Sequence, residues 1–158
     1  MVFSLAWRMT GDRGLAEEVA QDVLLELDRH LRKLGSPEHV KFWLRRVTMS
    51  RSTDALRRKT VREPGWDDGS WIGLEEWHGQ LDDETESPLS VRIEELLATL
   101  PEPQRAALVL RYQEDLSPEE IAATLKTPLA TVKSHLQRGL KLLRVKASQT
   151  LKEYVRGA

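Results

Sequence analysis

Apolar side chains recur with the period of an α-helix along nearly all of this chain, and the pattern breaks once, over residues 63–91. No window alternates apolar and polar residues as a half-buried strand would. The sequence therefore predicts an all-α fold of two small helical domains, residues 1–62 and 92–158, joined by an irregular linker over 63–91. A length of 158 residues suits that division, because it holds either one ordinary domain or two small ones, each with a modest core. Prolines and glycines punctuate the linker, and three of the five tryptophans, Trp66, Trp71 and Trp77, fall in it. Local packing of those rings against the flanking domains accounts for them better than a dedicated aromatic contact.

The formal net charge of −1 hides a strong segregation. Residues 1–62 carry +5, residues 63–91 carry −9 with no lysine or arginine, and residues 92–158 carry +3. Two basic blocks flanking an acidic one point to polyanion binding, although many globular domains are comparably uneven. No run approaches the roughly 18 to 20 apolar residues that a membrane span needs, so no membrane insertion is expected. The N-terminus lacks the basic, apolar and small-residue order of a secretory signal. The chain has no cysteine, which removes disulfides and thiolate metal sites and fits a cytoplasmic protein.

In the first block the break Gly11-Asp12-Arg13-Gly14 separates a short helix from a longer one, with Asp12 as its cap. Leu15, Val19, Val23 and Leu27 form the apolar stripe of that longer helix, widened by Ala16, Ala20, Leu24 and Leu31. Gly35-Ser36-Pro37 stops it. A further helix turns Val40, Trp43, Leu44 and Val47 inward, with Ala55 and Leu56, and leaves Arg45, Arg46, Arg51, Arg57, Arg58 and Lys59 mostly outward. Trp43 and Phe42 suggest base stacking, but Trp43 sits on the apolar face and reads as core. On the long helix Glu18, Asp22 and Glu26 recur every fourth residue beside Gln21. Like charges at that spacing repel by a few tenths of a kcal/mol per pair, so the stripe gains from a basic partner; a solvated face relieved by Arg29 is the plainer reading.

The second block restarts near Ser90 and runs through Ile93, Leu96, Leu97 and Leu100, then from Pro101 through Leu108, Val109 and Tyr112. Ser117-Pro118-Glu119-Glu120 is a capping box with proline at the first helical position. Ile121, Ala122 and Leu125 give the short helix its apolar face. Lys126-Thr127-Pro128 breaks it, with Thr127 expected to cap the next helix and Pro128 inside that helix. There Val132, Leu136, Leu140 and Leu143 fall on one side. At about 100° per residue the other side presents Ala130, Ser134, Gln137 and Lys141, with Lys133 and Arg138 on its shoulders. A capped short helix, a short turn and a second helix with small, polar and basic residues outward are what major-groove readout requires. A helical hairpin with a merely solvated basic face is the plainer alternative.

These residues resemble domain four of the extracytoplasmic-function (ECF) sigma factors. The family pattern stands here as Leu100-Pro101 with Gln104-Arg105, Leu110-Arg111-Tyr112, Leu116-Ser117 with Glu120-Ile121-Ala122, and Thr131-Val132-Lys133-Ser134 with Leu136 and Arg138. The first block resembles sigma domain two, through the segment Ala16 to Leu24, through Trp43-Leu44-Arg45-Arg46-Val47-Thr48, and through Asp54-Ala55-Leu56-Arg57-Arg58. The resemblance implies a three- or four-helix domain two, N-terminally short by family standards, and a helix-turn-helix domain four. It implies that Glu18, Gln21, Asp22 and Glu26 dock on the β′ clamp helices of core RNA polymerase, with a further contact to the β subunit. Arg45, Arg46, Arg51, Arg57 and Arg58 would meet the minus-10 promoter region, and the loop Leu34 to Lys41 would hold an extruded base. Lys133, Ser134, Gln137, Arg138 and Lys141 would meet the minus-35 element, with Lys133 on phosphate. Many members of that family are held inactive by an anti-sigma factor, and the acidic linker matches the segment that threads the polymerase near the RNA path; a plain solubilising tether explains it equally well. Ser50, Lys126 and Pro128 replace a family asparagine, turn glycine and helix cap. A lysine in a turn that needs positive φ costs about 1 kcal/mol.

Two rivals compete with this reading. A stand-alone helix-turn-helix regulator explains the second block equally well, but not the acidic helix, the Trp-Leu-Arg-Arg segment and the arginine cluster in one domain. An enzyme is disfavoured, because His30, His39, His78 and His135 show no metal-ligand spacing with acids and no phosphate loop or nucleophile motif appears. No cofactor and no metal are expected.

Overall fold

The computed structural model describes residues 1–62 and 95–156, and all of their regular structure is helical. The predicted linker, with Trp66, Trp71 and Trp77, lies outside the described residues. In the N-terminal part, α1 (Val2–Thr10) ends at Gly11, whose φ of 63° returns its N–H to the Trp7 carbonyl at 2.7 Å. A side chain would be strained there, so the break falls on glycine. Asp12 caps α2 (Arg13–His30) by accepting from the Leu15 N–H at 3.1 Å, as the sequence predicts. The same carboxyl accepts from Lys59 Nζ at 2.8 Å, so one side chain both starts α2 and pins α3. Burial pushes this carboxyl up, but the Lys59 and Leu15 hydrogen bonds and the Lys59 charge outweigh burial and hold it below its ordinary value. A 3-10 turn, Leu31–Lys33, follows α2, and α3 (Pro37–Arg62) starts on proline with the Ser36 hydroxyl accepting from the His39 N–H at 3.2 Å.

Ala6, Trp7, Ala16, Val19, Val23 and Ala55 form the core of these helices, with Leu15, Trp43, Leu44 and Val47 packed on it. Trp43 is therefore core, as its place on the wheel predicts. Leu24 and Leu31 are not, being 53% and 51% exposed. Val23, Leu24 and Leu25 follow one another over roughly 200° of the helix, so they cannot all face inward. Val23 takes the inner place. Leu31 belongs to the 3-10 turn, whose tighter period rotates it away from the α-helical stripe.

In the C-terminal part, helical residues 95–98 precede α4 (Glu102–Tyr112), α5 (Pro118–Leu125) and α6 (Leu129–Arg156). Five consecutive α4 residues, Ala106 to Leu110, are buried, so this helix is covered all round. Gly139 of α6 lies so close to α4 that a Cβ would come within 2.9 Å of Leu108 Cδ1. Tyr112, placed by its spacing on the apolar face, is instead 64% exposed at the end of α4.

A second core joins the two parts. Leu5 and Met9 of α1 and Met49 of α3 are buried with Ala106, Val109, Leu110, Leu116, Ile121 and Val132. Thus α1 is a wedge: Ala6 and Trp7 face the first core while Leu5 and Met9 face the second. The same docking explains the burial of Met49, which the helical stripe of α3 does not predict. Arg105 reinforces the junction, its guanidinium donating to the carbonyls of Met9, Ala98 and Leu100 at 2.5, 2.6 and 3.0 Å. The Met9 carbonyl lies in the last turn of α1, where helix carbonyls lack partners and a cation is favoured. Burial depresses the Arg105 pKa; the carbonyls take both of its terminal nitrogens, while its buried Nε has no partner among the described residues.

Candidate nucleic-acid and polymerase interface

The helix-turn-helix is built from local rules. Ser117 and Glu120 close the capping box reciprocally, the Ser117 hydroxyl accepting from Glu120 N–H at 3.2 Å and the Glu120 carboxylate from Ser117 N–H at 3.1 Å. The Ser117 N–H and hydroxyl hold the Glu120 carboxyl below its ordinary value. Lys126 ends α5 with φ 52° and ψ 45°, the left-handed conformation that its replacement of glycine implied. Thr127 does not cap α6. Its hydroxyl donates back to the Leu125 carbonyl at 3.2 Å, and Val132 N–H bonds the Pro128 carbonyl at 3.0 Å, so Pro128 stands at the cap and α6 begins at Leu129. Once the hydroxyl is committed to the end of α5, it is lost to the start of α6.

Val132 is fully buried, and this sets the rotation of α6. Lys133, Gln137, Arg138 and Lys141 are exposed on the outer side and Ser134 is half-buried among them. None of the five has a hydrogen bond or ion pair within the described residues. They form one bare polar and basic face, 28 residues of helix providing a rod for a DNA groove.

The arginines of α3 are arranged differently. Arg45 Nε meets Glu114 Oε1 at 3.0 Å, with the two side chains only 22% and 11% exposed. Arg57 lies 3.6 Å from Glu102, and Arg51 pairs with Glu26 of α2. Arg46 and Arg58 have no partner among the described residues. Between α3 and the α5–α6 turn runs a cleft of about 650 Å³, lined by Arg46, Arg51, Arg57, Lys126 and His135 among others. A bridge without a carboxylate accompanies the ion pairs: the Arg8 guanidinium donates to the Gln113 side-chain oxygen, and the Gln113 amide donates to the Ser4 hydroxyl at 3.0 Å.

On α2, Glu18, Gln21 and Asp22 are exposed, whereas Glu26 is turned toward Arg51. The structure thus keeps Glu18, Gln21 and Asp22 together and separates Glu26 from them. Beside them stand Leu24, expected on the apolar stripe, and Leu25, 63% exposed and not singled out from the sequence. The three-residue apolar run Val23-Leu24-Leu25 was the available signal. Exposed leucines bordered by acids make a surface suited to an apolar and basic partner. Among the described residues no group of three His, Asp or Glu is placed to hold a metal ion, and no helix is long and apolar enough to cross a membrane.

Residues 1–62 match the family Sigma-70 region 2, and residues 90–143 match Sigma-70, region 4. The chain is 33% identical over 152 residues to the ECF RNA polymerase sigma factor SigE of Mycolicibacterium smegmatis, covering 90% of this chain and 56% of that protein. It is 32% identical over 130 residues to the ECF sigma factor RpoE of Cereibacter sphaeroides, covering 82% and 70%. SigW of Bacillus subtilis is 27% identical over 90% of this chain and 81% of its own length. Among solved structures, the sigma factor RpoE of Bartonella quintana, in complex with the anti-sigma factor NepR, matches with a TM-score of 0.72 at 18% identity, over 93% of this chain and 89% of that chain. A capped helix-turn-helix behind an acidic and arginine-rich helical unit is thus matched by both region families in order and by relatives over most of this chain, and the chain belongs to the ECF RNA polymerase sigma factors.

Proposed function

We propose that this sigma factor binds core RNA polymerase through α2 and directs initiation by contacting the minus-10 region with α3 and the minus-35 element with α6. Glu18, Gln21 and Asp22, with Leu24 and Leu25, meet the β′ clamp helices. Arg45, Arg46, Arg51, Arg57 and Arg58 hold the opened minus-10 strand, and Lys133, Ser134, Gln137, Arg138 and Lys141 read and grip the minus-35 duplex. The observation that carries the reading is the coexistence of two unlike exposed faces on one small chain: an acidic, leucine-bearing one on α2 and a basic one on α6. The first suits a protein partner and the second a polyanion.

The chain performs no chemistry of its own, since phosphodiester formation belongs to the polymerase, and it works in the cytoplasm with that enzyme and promoter DNA. An anti-sigma factor is a further expected partner, supported by the complex in which its Bartonella structural neighbour was solved. The test is promoter-directed run-off transcription with purified core. Glu18→Lys with Asp22→Lys places like charges against a basic partner, at a cost of several kcal/mol, and abolishes polymerase binding with helical content unchanged. Unaltered affinity for core would remove the acidic face from the mechanism.

A further inference from the structure

The cleft between α3 and the α5–α6 turn gathers positive charge that the chain itself only partly answers. Arg51 and Arg57 on its wall are paired with Glu26 and Glu102, whereas Arg46 and Lys126 have no partner among the described residues. We propose that this cleft binds a small phosphorylated nucleotide, its phosphates held by Arg46 and Lys126 and its base resting on the apolar wall of Val47, Pro103 and Leu125.

Its size is the first support: about 650 Å³ falls within the range of small-molecule sites, roughly 300–1,000 Å³. The second is strain. Lys126 holds φ 52° and ψ 45°, where glycine would sit without penalty, and its side chain lines the cleft. A residue kept in a costly backbone conformation beside a charged cleft marks a site that uses its side chain. The third is His135, which lines the same cleft and whose buried Nδ1 has no hydrogen-bond partner among the described residues. Such a ring nitrogen donates to a phosphate oxygen or accepts from a hydroxyl, as its tautomer directs. Asp54, a carboxylate of the wall without a partner among the described residues, narrows the ligand class. It repels a simple polyanion but accepts from the exocyclic amino group of a base. Asp54 lies eight positions beyond Arg46 on α3, about 12 Å at the helical rise, a separation that a nucleoside diphosphate spans.

The test titrates the full chain with ADP at moderate salt by isothermal calorimetry. One saturable site is expected, and adenosine, which lacks the phosphates, should bind at least about tenfold more weakly. Lys126→Gly removes one cation while relieving the turn, and Arg46→Gln removes the other from a position without an ion pair, so both variants should keep the helical content of the parent. Each should weaken ADP binding about three- to tenfold. Absence of a saturable site, or an ADP affinity unchanged in both variants, would overturn the proposal. A randomised single strand of about 12 nucleotides separates the two sources of phosphate. Binding of that strand more tightly than ADP, with an equal loss in Lys126→Gly, would assign the cleft to DNA and overturn its assignment to a free nucleotide.

Discussion

The α3 and α6 helices both carry arginines and lysines along one face, yet they sit in opposite electrostatic states. Among the described residues the face of α6 has no acid within bonding distance, and Lys133, Gln137, Arg138 and Lys141 are exposed. The face of α3 lies beside the junction between the two halves, and Arg45, Arg51 and Arg57 all meet carboxylates. The difference follows from which apolar residues each helix buries. On α6 Val132 is buried in the second core, so the turn-proximal polar face looks away from the body. On α3 Met49 is buried in the second core, which draws the C-terminal helices and their acids across the adjoining arginines. Composition alone therefore does not tell a free nucleic-acid face from a covered one; the placement of one methionine does.

Removing that methionine is the strongest way to break the contrast. Met49→Ala should weaken the packed core by about 2–5 kcal/mol and loosen the dock, seen as a lower urea midpoint and a larger radius in small-angle scattering. A lower midpoint with an unchanged radius would mean that Met49 serves only its own half. On the other face, Arg138→Ala should weaken duplex binding by about 1–3 kcal/mol in a base-dependent way once a cognate promoter is in hand. Loss that is uniform across sequences would reassign Arg138 to phosphate.

Smaller effects sharpen the local geometry. Lys126→Gly should raise stability by up to about 1 kcal/mol by relieving the positive φ, read as a higher melting temperature; an unchanged or lower value would mean that the Lys126 side chain contributes as much as its backbone costs. Asp12 titrates below its ordinary value of 3.8 in the folded chain, so its stabilisation is complete above that value and is lost as pH falls through the folded one. Asp12→Asn should therefore flatten the fall in stability below about pH 4 and leave the minus-35 face untouched. An acid limb of unchanged slope would assign the acid sensitivity to other carboxylates.

What the sequence made legible was local. Gly11, the Asp12 cap, the Ser117–Glu120 box, the left-handed Lys126 and the outward face of α6 all follow from residues within a few positions of one another. So did the inward place of Trp43. What remained hidden was long-range. Arg45 and Glu114 are 69 residues apart, and Arg105 reaches 96 residues back to the Met9 carbonyl; no periodicity predicts either meeting. Leu24 and Thr127 were misplaced for another reason. Each had two plausible partners, and the choice was made by a neighbour, Val23 in one case and the end of α5 in the other.

The most direct measurement is binding of the purified full chain to bacterial core RNA polymerase by gel filtration at moderate salt. The account predicts saturable co-elution near one chain per core, lost in the Glu18→Lys, Asp22→Lys variant. No co-elution, together with tight dimeric binding to a duplex in the absence of polymerase, would contradict it and identify a stand-alone regulator instead.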